Sequence, residues 1–103
     1  MAAYVILGSS TPSATTLTTL VTGSANGSIL AGITACNKGS SNDTIRIAIT
    51  KSGGSTYYQY YNFTLPAYST LERQSGVTLA NGDTFSVYST TGNTDFVATG
   101  TTL

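Results

Sequence analysis

Four side chains carry a carboxylate, Asp43, Glu72, Asp83 and Asp95, and no histidine stands anywhere in the chain to act beside them. Two carboxylates converging on a glycosidic bond are the one hydrolytic chemistry that these residue types allow. Three of the four acids, however, sit at turns next to Asn or Gly, where Asp closes a turn through backbone N–H groups. None lies in an aromatic-rich strand where burial would retune it. Serine and threonine nucleophiles have no base partner, and neither does Cys36. That single cysteine cannot form an internal disulfide, and its place in an apolar strand reads as a small buried hydrophobe. Oxygen ligands for calcium exist at Asn81/Asp83 and Asn93/Asp95, but the carboxylates are too sparse for a tight site. The expectation is a protein without enzymatic activity, cofactor or metal.

The unusual feature is aromatic. Tyr57, Tyr58, Tyr60 and Tyr61 fall within one run that continues to Phe63 and Leu65. Strict alternation sends Tyr57, Tyr61, Phe63 and Leu65 to one face of a strand and Tyr58 and Tyr60 to the other. One set then belongs to the core and the other to the surface. Exposed tyrosines beside Gln59 and Asn62 suit three uses: cross-strand packing on a solvated face, a protein interface, or stacking on sugar rings. Tyr58, Gln59, Tyr60 and Asn62 are therefore candidates for an interface or a glycan site. Glu72 and Arg73 join them as adjacent charges whose side chains leave a strand on opposite faces. A surface ion pair from Glu72 to Arg46 or Lys51 would contribute under about 1 kcal/mol. On an interface the same charges would add specificity.

These tyrosines need a sheet to carry them. Thr44–Thr50 alternates, with Ile45, Ile47 and Ile49 on one side and Thr44, Arg46, Ala48 and Thr50 on the other. Lys51-Ser52-Gly53-Gly54-Ser55 then turns the chain into the tyrosine run, which Pro66 ends, so the pair reads as a β-hairpin. Upstream, Tyr4–Leu7 is a short strand stopped by Gly8-Ser9-Ser10, and Thr15–Thr22 reads as an edge strand. Ile29–Asn37 places Ile29, Ala31, Ile33 and Ala35 on one face. Downstream, Thr70–Arg73, Val77–Leu79, Thr84–Ser89 and Thr94–Thr99 are further strands. Asn81-Gly82 marks a tight turn between two of them. No window has apolar residues at helical spacing. The fold expected over residues 1–103 is one all-β domain, an antiparallel β-sandwich of about 7–8 strands with immunoglobulin-like or jelly-roll topology.

Composition narrows the partners. Net charge is zero and 8% of residues are charged, against roughly 25% in ordinary domains. Thr and Ser make up almost a third of the chain, so solubility rests on hydroxyls and amides. A neutral chain without a Lys/Arg cluster has no footprint for a phosphate backbone, which argues against nucleic acid. No apolar run approaches the roughly 20 residues of a membrane span. The N-terminal residues lack the basic and apolar regions of a signal peptide, so export is not expected. The sequons Asn26-Gly-Ser28, Asn42-Asp-Thr44 and Asn62-Phe-Thr64 are then chance matches in a Ser/Thr-rich chain.

Seven short pieces resemble, in order and spacing, a family of small virion structural proteins of tailed bacteriophages. They are Leu7-Gly8-x-Ser10-x-Pro12, Thr15–Thr18, Ala35-Cys36-Asn37, Thr44–Ala48, Leu65-Pro66-Ala67, Leu71-Glu72-Arg73 and Gly76–Ala80. The likeness runs from Tyr4 to Val97. Members often carry Val-Pro after the second strand, where this chain has Thr22-Gly23-Ser24. The resemblance implies a non-enzymatic virion component assembled in the host cytoplasm, with other virion proteins, capsid or tail subunits, as partners. The expected role is decoration or cementing of the head. The alternative is a neck- or tail-fibre-associated module that binds a receptor or glycan. Strand edges with few Lys residues to blunt them imply cover by a partner or by further copies in a homo-oligomer, a trimer being one form.

Overall fold

A computed structural model describes residues 5–103. They form eight strands, β1 (Val5–Ser10), β2 (Thr18–Thr22), β3 (Ser28–Asn37), β4 (Asp43–Thr50), β5 (Thr56–Leu65), β6 (Thr70–Leu79), β7 (Thr84–Ser89) and β8 (Thr94–Thr102). Two four-stranded antiparallel sheets run β1-β8-β3-β6 and β2-β7-β4-β5. The pairs β1/β8, β2/β7, β3/β6 and β4/β5 make the chain one long hairpin with its tip at the β4–β5 turn. Successive pairs of that hairpin alternate between the sheets, with β3 beside β8 and β4 beside β7 closing the order. This is the jelly-roll arrangement, so the choice left open with an immunoglobulin-like sandwich falls to the jelly roll.

The layers close on a core of Leu30, Ile33, Phe96 and Leu79 from one sheet and Ile45, Ile47, Phe85 and Val87 from the other, all essentially without solvent contact. The isoleucines of β4 face inward as alternation demands. β3 departs from its expected phase. A bulge between Leu30 and Gly32 shifts the register against both neighbours, and an extra residue in one strand moves the following side chains to the other face. Leu30 therefore joins Ile33 and Ala35 inside, while Ile29 and Ala31 are only half-buried. Cys36 is half-buried on the outer side of that strand, not in the core. β1 also runs through Gly8-Ser9-Ser10 instead of stopping there. Gly8 lets the edge of one sheet pass the other, since a Cβ there would sit 2.1 Å from the Leu20 carbonyl oxygen.

Buried polar side chains staple one end of the sandwich. Asn37 Nδ2 donates to the carbonyls of Ser41, Leu65 and Pro66, and its Oδ1 accepts from Gly39 N–H. Asp43 Oδ1 accepts the N–H groups of Thr44 at 2.8 Å and Thr91 at 3.0 Å. Its Oδ2 accepts the hydroxyls of Ser89 and Thr94. β4 and β7 belong to one sheet and β8 to the other, so Asp43 joins the layers without a disulfide. The chain is thus held by more than packing and sheet hydrogen bonds. Asp43 is 1% exposed, although its strand β4 carries no aromatic residue. Burial works to raise its carboxyl, but the four hydrogen bonds outweigh that and hold it below the ordinary value.

Candidate functional site

The β4–β5 hairpin positions the aromatic residues. Its turn is closed by Gly54 N–H on the Lys51 carbonyl at 2.8 Å, with Gly53 at φ 66°. Asp83, from the Asn81-Gly82 turn, accepts Ser52 N–H at 2.9 Å, Ala80 N–H at 3.1 Å and Lys51 Nζ at 3.2 Å. The Ser52 hydrogen bond is the largest cause holding its carboxyl below the ordinary value. The Ala80 contact is the turn-closing role expected of Asp, and the contacts to Lys51 and Ser52 add a tie between two turns at one end of the sheet.

Along β5 the alternation breaks twice. Ile49, Ala48 and Ile47 pair with Tyr57, Tyr58 and Tyr60, and Ile45 pairs with Phe63. Gln59 is therefore an extra residue, and Tyr61 with Asn62 together oppose Arg46. Asn62 takes φ 55°, a left-handed backbone that Asn adopts more readily than most residues. Directly paired residues share a face, so Tyr57, Tyr60 and Phe63 lie on the side of the three isoleucines. Tyr58 and Tyr61 lie outside. The expected grouping is corrected at both ends: Tyr60 is an inward residue half-buried against the core, and Tyr61 an outward one. The bulges carry the correction, because each inserts a residue and resets the period of two.

Two aromatic contacts follow from this phase. Tyr60 and Phe63 meet edge-on at 5.2 Å, and Arg73, from β6, reaches over the Tyr60 ring at 5.3 Å. Arg73 thereby caps the open side of the sandwich where the edge strands β5 and β6 face each other. On the outer face, Tyr58 and Tyr61 stand perpendicular with centroids 4.8 Å apart. Arg46 lies between Tyr61 of β5 and Tyr88 of β7, its guanidinium carbon 4.4 and 4.5 Å from the two ring centroids. Arg46 Nε donates to Asn62 Oδ1 at 2.7 Å.

Of the residues singled out from sequence, Tyr58 and Asn62 thus meet at one outward cluster. Gln59 is half-buried at a bulge, and Tyr60 with Arg73 forms an inward pair. Glu72, opposite Thr34, is exposed on the other sheet. Its expected ion pair with Arg46 or Lys51 is not formed: Lys51 pairs with Asp83, and Arg46 is held by tyrosines on the far sheet. Arg46, Tyr61 and Tyr88 were missed as site residues. The available signal was Arg46 itself, the one charge at an outward position of β4.

A wider aromatic margin surrounds this cluster. Tyr57, Tyr58, Tyr61, Phe63 and Tyr68 are all exposed along β5 and the corner after it. Tyr68 is 74% exposed and holds φ 56°. The αL conformation costs a bulky residue roughly 1–2 kcal/mol, and no burial of the ring offsets it. Compared with protein-family models, curated proteins and solved structures, the chain matches none.

Proposed function

We propose that this chain is a non-enzymatic structural protein of a tailed-bacteriophage virion that decorates or cements the head, docking through the aromatic margin of β5. The observation that carries the reading is the concentration of five exposed aromatic side chains along one edge of the sandwich. A buried aromatic contributes roughly 150–250 Å². Five that are partly exposed therefore offer on the order of 500 Å², much of the roughly 800 Å² per partner in a specific interface. Tyrosines flanked by polar side chains are also the composition of interface hot spots. The bulges at Gln59 and at Tyr61-Asn62 interrupt the free ladder of β5, which makes it a poor template for strand addition. Docking is then by side chains, at a site on the particle that accepts rings. The motif resemblance supplies the virion context, and the neutral, hydroxyl-rich surface suits a protein that contacts other subunits instead of nucleic acid.

Particles assembled without the protein should lose their DNA at a lower temperature than complete ones, and an unchanged disruption temperature would sink the cementing role. Tyr57→Ala with Tyr68→Ala, both exposed, should leave the melting temperature of the isolated protein within a few degrees of the parent. The same pair should lower occupancy on particles at least tenfold. Full occupancy of the double variant would move the docking surface elsewhere.

A further inference from the structure

We propose that the outward cluster of Arg46, Tyr58, Tyr61 and Tyr88 binds a carboxylate-bearing sugar, a uronic acid residue of an anionic glycan. This goes beyond the virion reading: it shares Tyr58 and Tyr61 with the proposed docking margin, but it is argued from Arg46, which the docking reading does not use.

The argument begins with charge. Arg46 is the one cation on the outer face of the β2-β7-β4-β5 sheet, and that face carries no acid. The ion pairs among the described residues, Lys38–Asp95 and Lys51–Asp83, leave Arg46 out. A protein with 4 cationic and 4 acidic side chains thus keeps both guanidiniums without a counter-charge among the described residues, and of the two Arg46 is the one on this face. It holds that group in a fixed place: Tyr61 and Tyr88 lie 4.4 and 4.5 Å from its carbon, and Asn62 takes its Nε. The rings flank the guanidinium, and Nε is occupied. The terminal edge, Nη1 and Nη2, is the part left to bind. Two parallel N–H donors on that edge match the two oxygens of a carboxylate, and their pre-set orientation reduces the entropy lost on binding. Neighbouring rings also displace water from the guanidinium, which strengthens a charge-assisted contact.

The tyrosines choose the rest of the ligand. Tyr58 and Tyr61, at 83° to one another, form a corner beside the guanidinium, and both are exposed. The C–H face of a pyranose stacks on such a ring while its C6 carboxylate lies in the sugar plane, within reach of an adjacent cation. An acidic peptide would satisfy Arg46 equally well, but an extended peptide gains most of its affinity from ladder hydrogen bonds to a sheet edge. The β5 edge beside this cluster is broken by two bulges. A sugar needs no ladder.

Two-dimensional NMR of the whole chain provides the test, with tetrasaccharides of galacturonate, glucuronate, mannuronate and guluronate as probes. Each is paired with the same oligosaccharide carboxyl-reduced to its primary alcohol. Shifts centred on Arg46, Tyr58, Tyr61 and Tyr88 with at least one uronate, and at least tenfold weaker binding of its reduced partner, are the expected result. Arg46→Lys, which keeps the charge and loses the fork, should weaken that binding a further tenfold or more relative to the parent. The reduced sugars make the comparison without any variant, so a poorly folding Arg46→Lys would not spoil it. Equal binding of acid and alcohol overturns the proposal, as does silence from all four uronates. Shifts at the same residues from tetraglutamate with no response to any uronate would overturn it in favour of an acidic peptide.

Discussion

Replacing Gly100 by alanine is expected to destabilise the domain by about 3–4 kcal/mol, a large share of the roughly 5–15 kcal/mol that holds a domain of this kind together. Gly100 lies in β8, paired with Val5 of β1 on one side and Leu30 of β3 on the other. A Cβ there would stand 1.9 Å from the Ile29 carbonyl oxygen and 2.9 Å from Leu7 Cδ1. The oxygen belongs to a backbone locked into its own ladder, so relief requires moving two strands of one sheet. Overpacking usually costs about 1–3 kcal/mol where side chains can yield, and backbone yields less. Gly76→Ala is the control: a Cβ there meets nothing within 4 Å and its φ is not positive. Alanine there should be neutral or stabilising by up to about 1 kcal/mol through the unfolded chain. Urea midpoints of the two variants and the parent provide the comparison. A Gly100→Ala protein as stable as the parent would mean that β3 and β8 are not paired as described.

The second large effect belongs to Asp43. Removing the carboxylate with Asp43→Ala leaves two buried hydroxyls and two backbone N–H groups without their acceptor. Each buried orphan costs about 1–3 kcal/mol, with partial relaxation, so a loss of about 3–5 kcal/mol is expected at neutral pH. Asp43→Asn should cost less, about 1–2 kcal/mol. Its amide oxygen still accepts from Thr44 and Thr91, and its nitrogen donates to hydroxyls that rotate. The Ser89 hydroxyl already accepts Gly92 N–H, so its own proton then loses an acceptor.

The pH dependence separates the two substitutions. The folded-state pKa of Asp43 lies below the ordinary carboxylate value of 3.8. Its stabilising contribution is therefore complete above that value and is lost as pH falls through the folded pKa. Asp83 and Asp95 are depressed as well, by hydrogen bonds from Ser52 and Thr11 first, so the parent should weaken steadily in acid. Asp43→Asn should show a shallower decline below pH 4 than the parent, measured by urea unfolding from pH 7 to pH 2. An identical slope would show that Asp43 does not carry its share of the acid response.

Much of the architecture is legible before any coordinates. The isoleucines of β4 alternate cleanly, and Gly53-Gly54 and Asn81-Gly82 supply turn chemistry. β2 reads as an edge strand and lies at an edge. Eight strands match the upper end of the expected number. The site was less legible. Tyr58 and Asn62 belong to the outward cluster, but Tyr60 was assigned to its face by an alternation that the bulges at Gln59 and Tyr61-Asn62 interrupt. A bulge leaves little trace in residue types, since its extra residue is chosen by fit to the partner strand. Asn62 at positive φ was the only local hint.

By itself the amino-acid sequence determined the class of protein: an all-β domain, nearly uncharged, with no histidine and its surface tyrosines concentrated in one strand. Those properties reside in residue type and in a period of two, which local sterics and burial impose on any strand. Strand order, the phase of β3 and β5, the burial of Asp43 and the seating of Arg46 between Tyr61 and Tyr88 were decided only by the tertiary structure. The phase of β5 is set by its hairpin neighbour β4, and the others depend on a partner distant in sequence, β8 for β3, Ser89 and Thr94 for Asp43, Tyr88 for Arg46. Pairing energies between distant segments are expressed only once the sheets have closed on a common core.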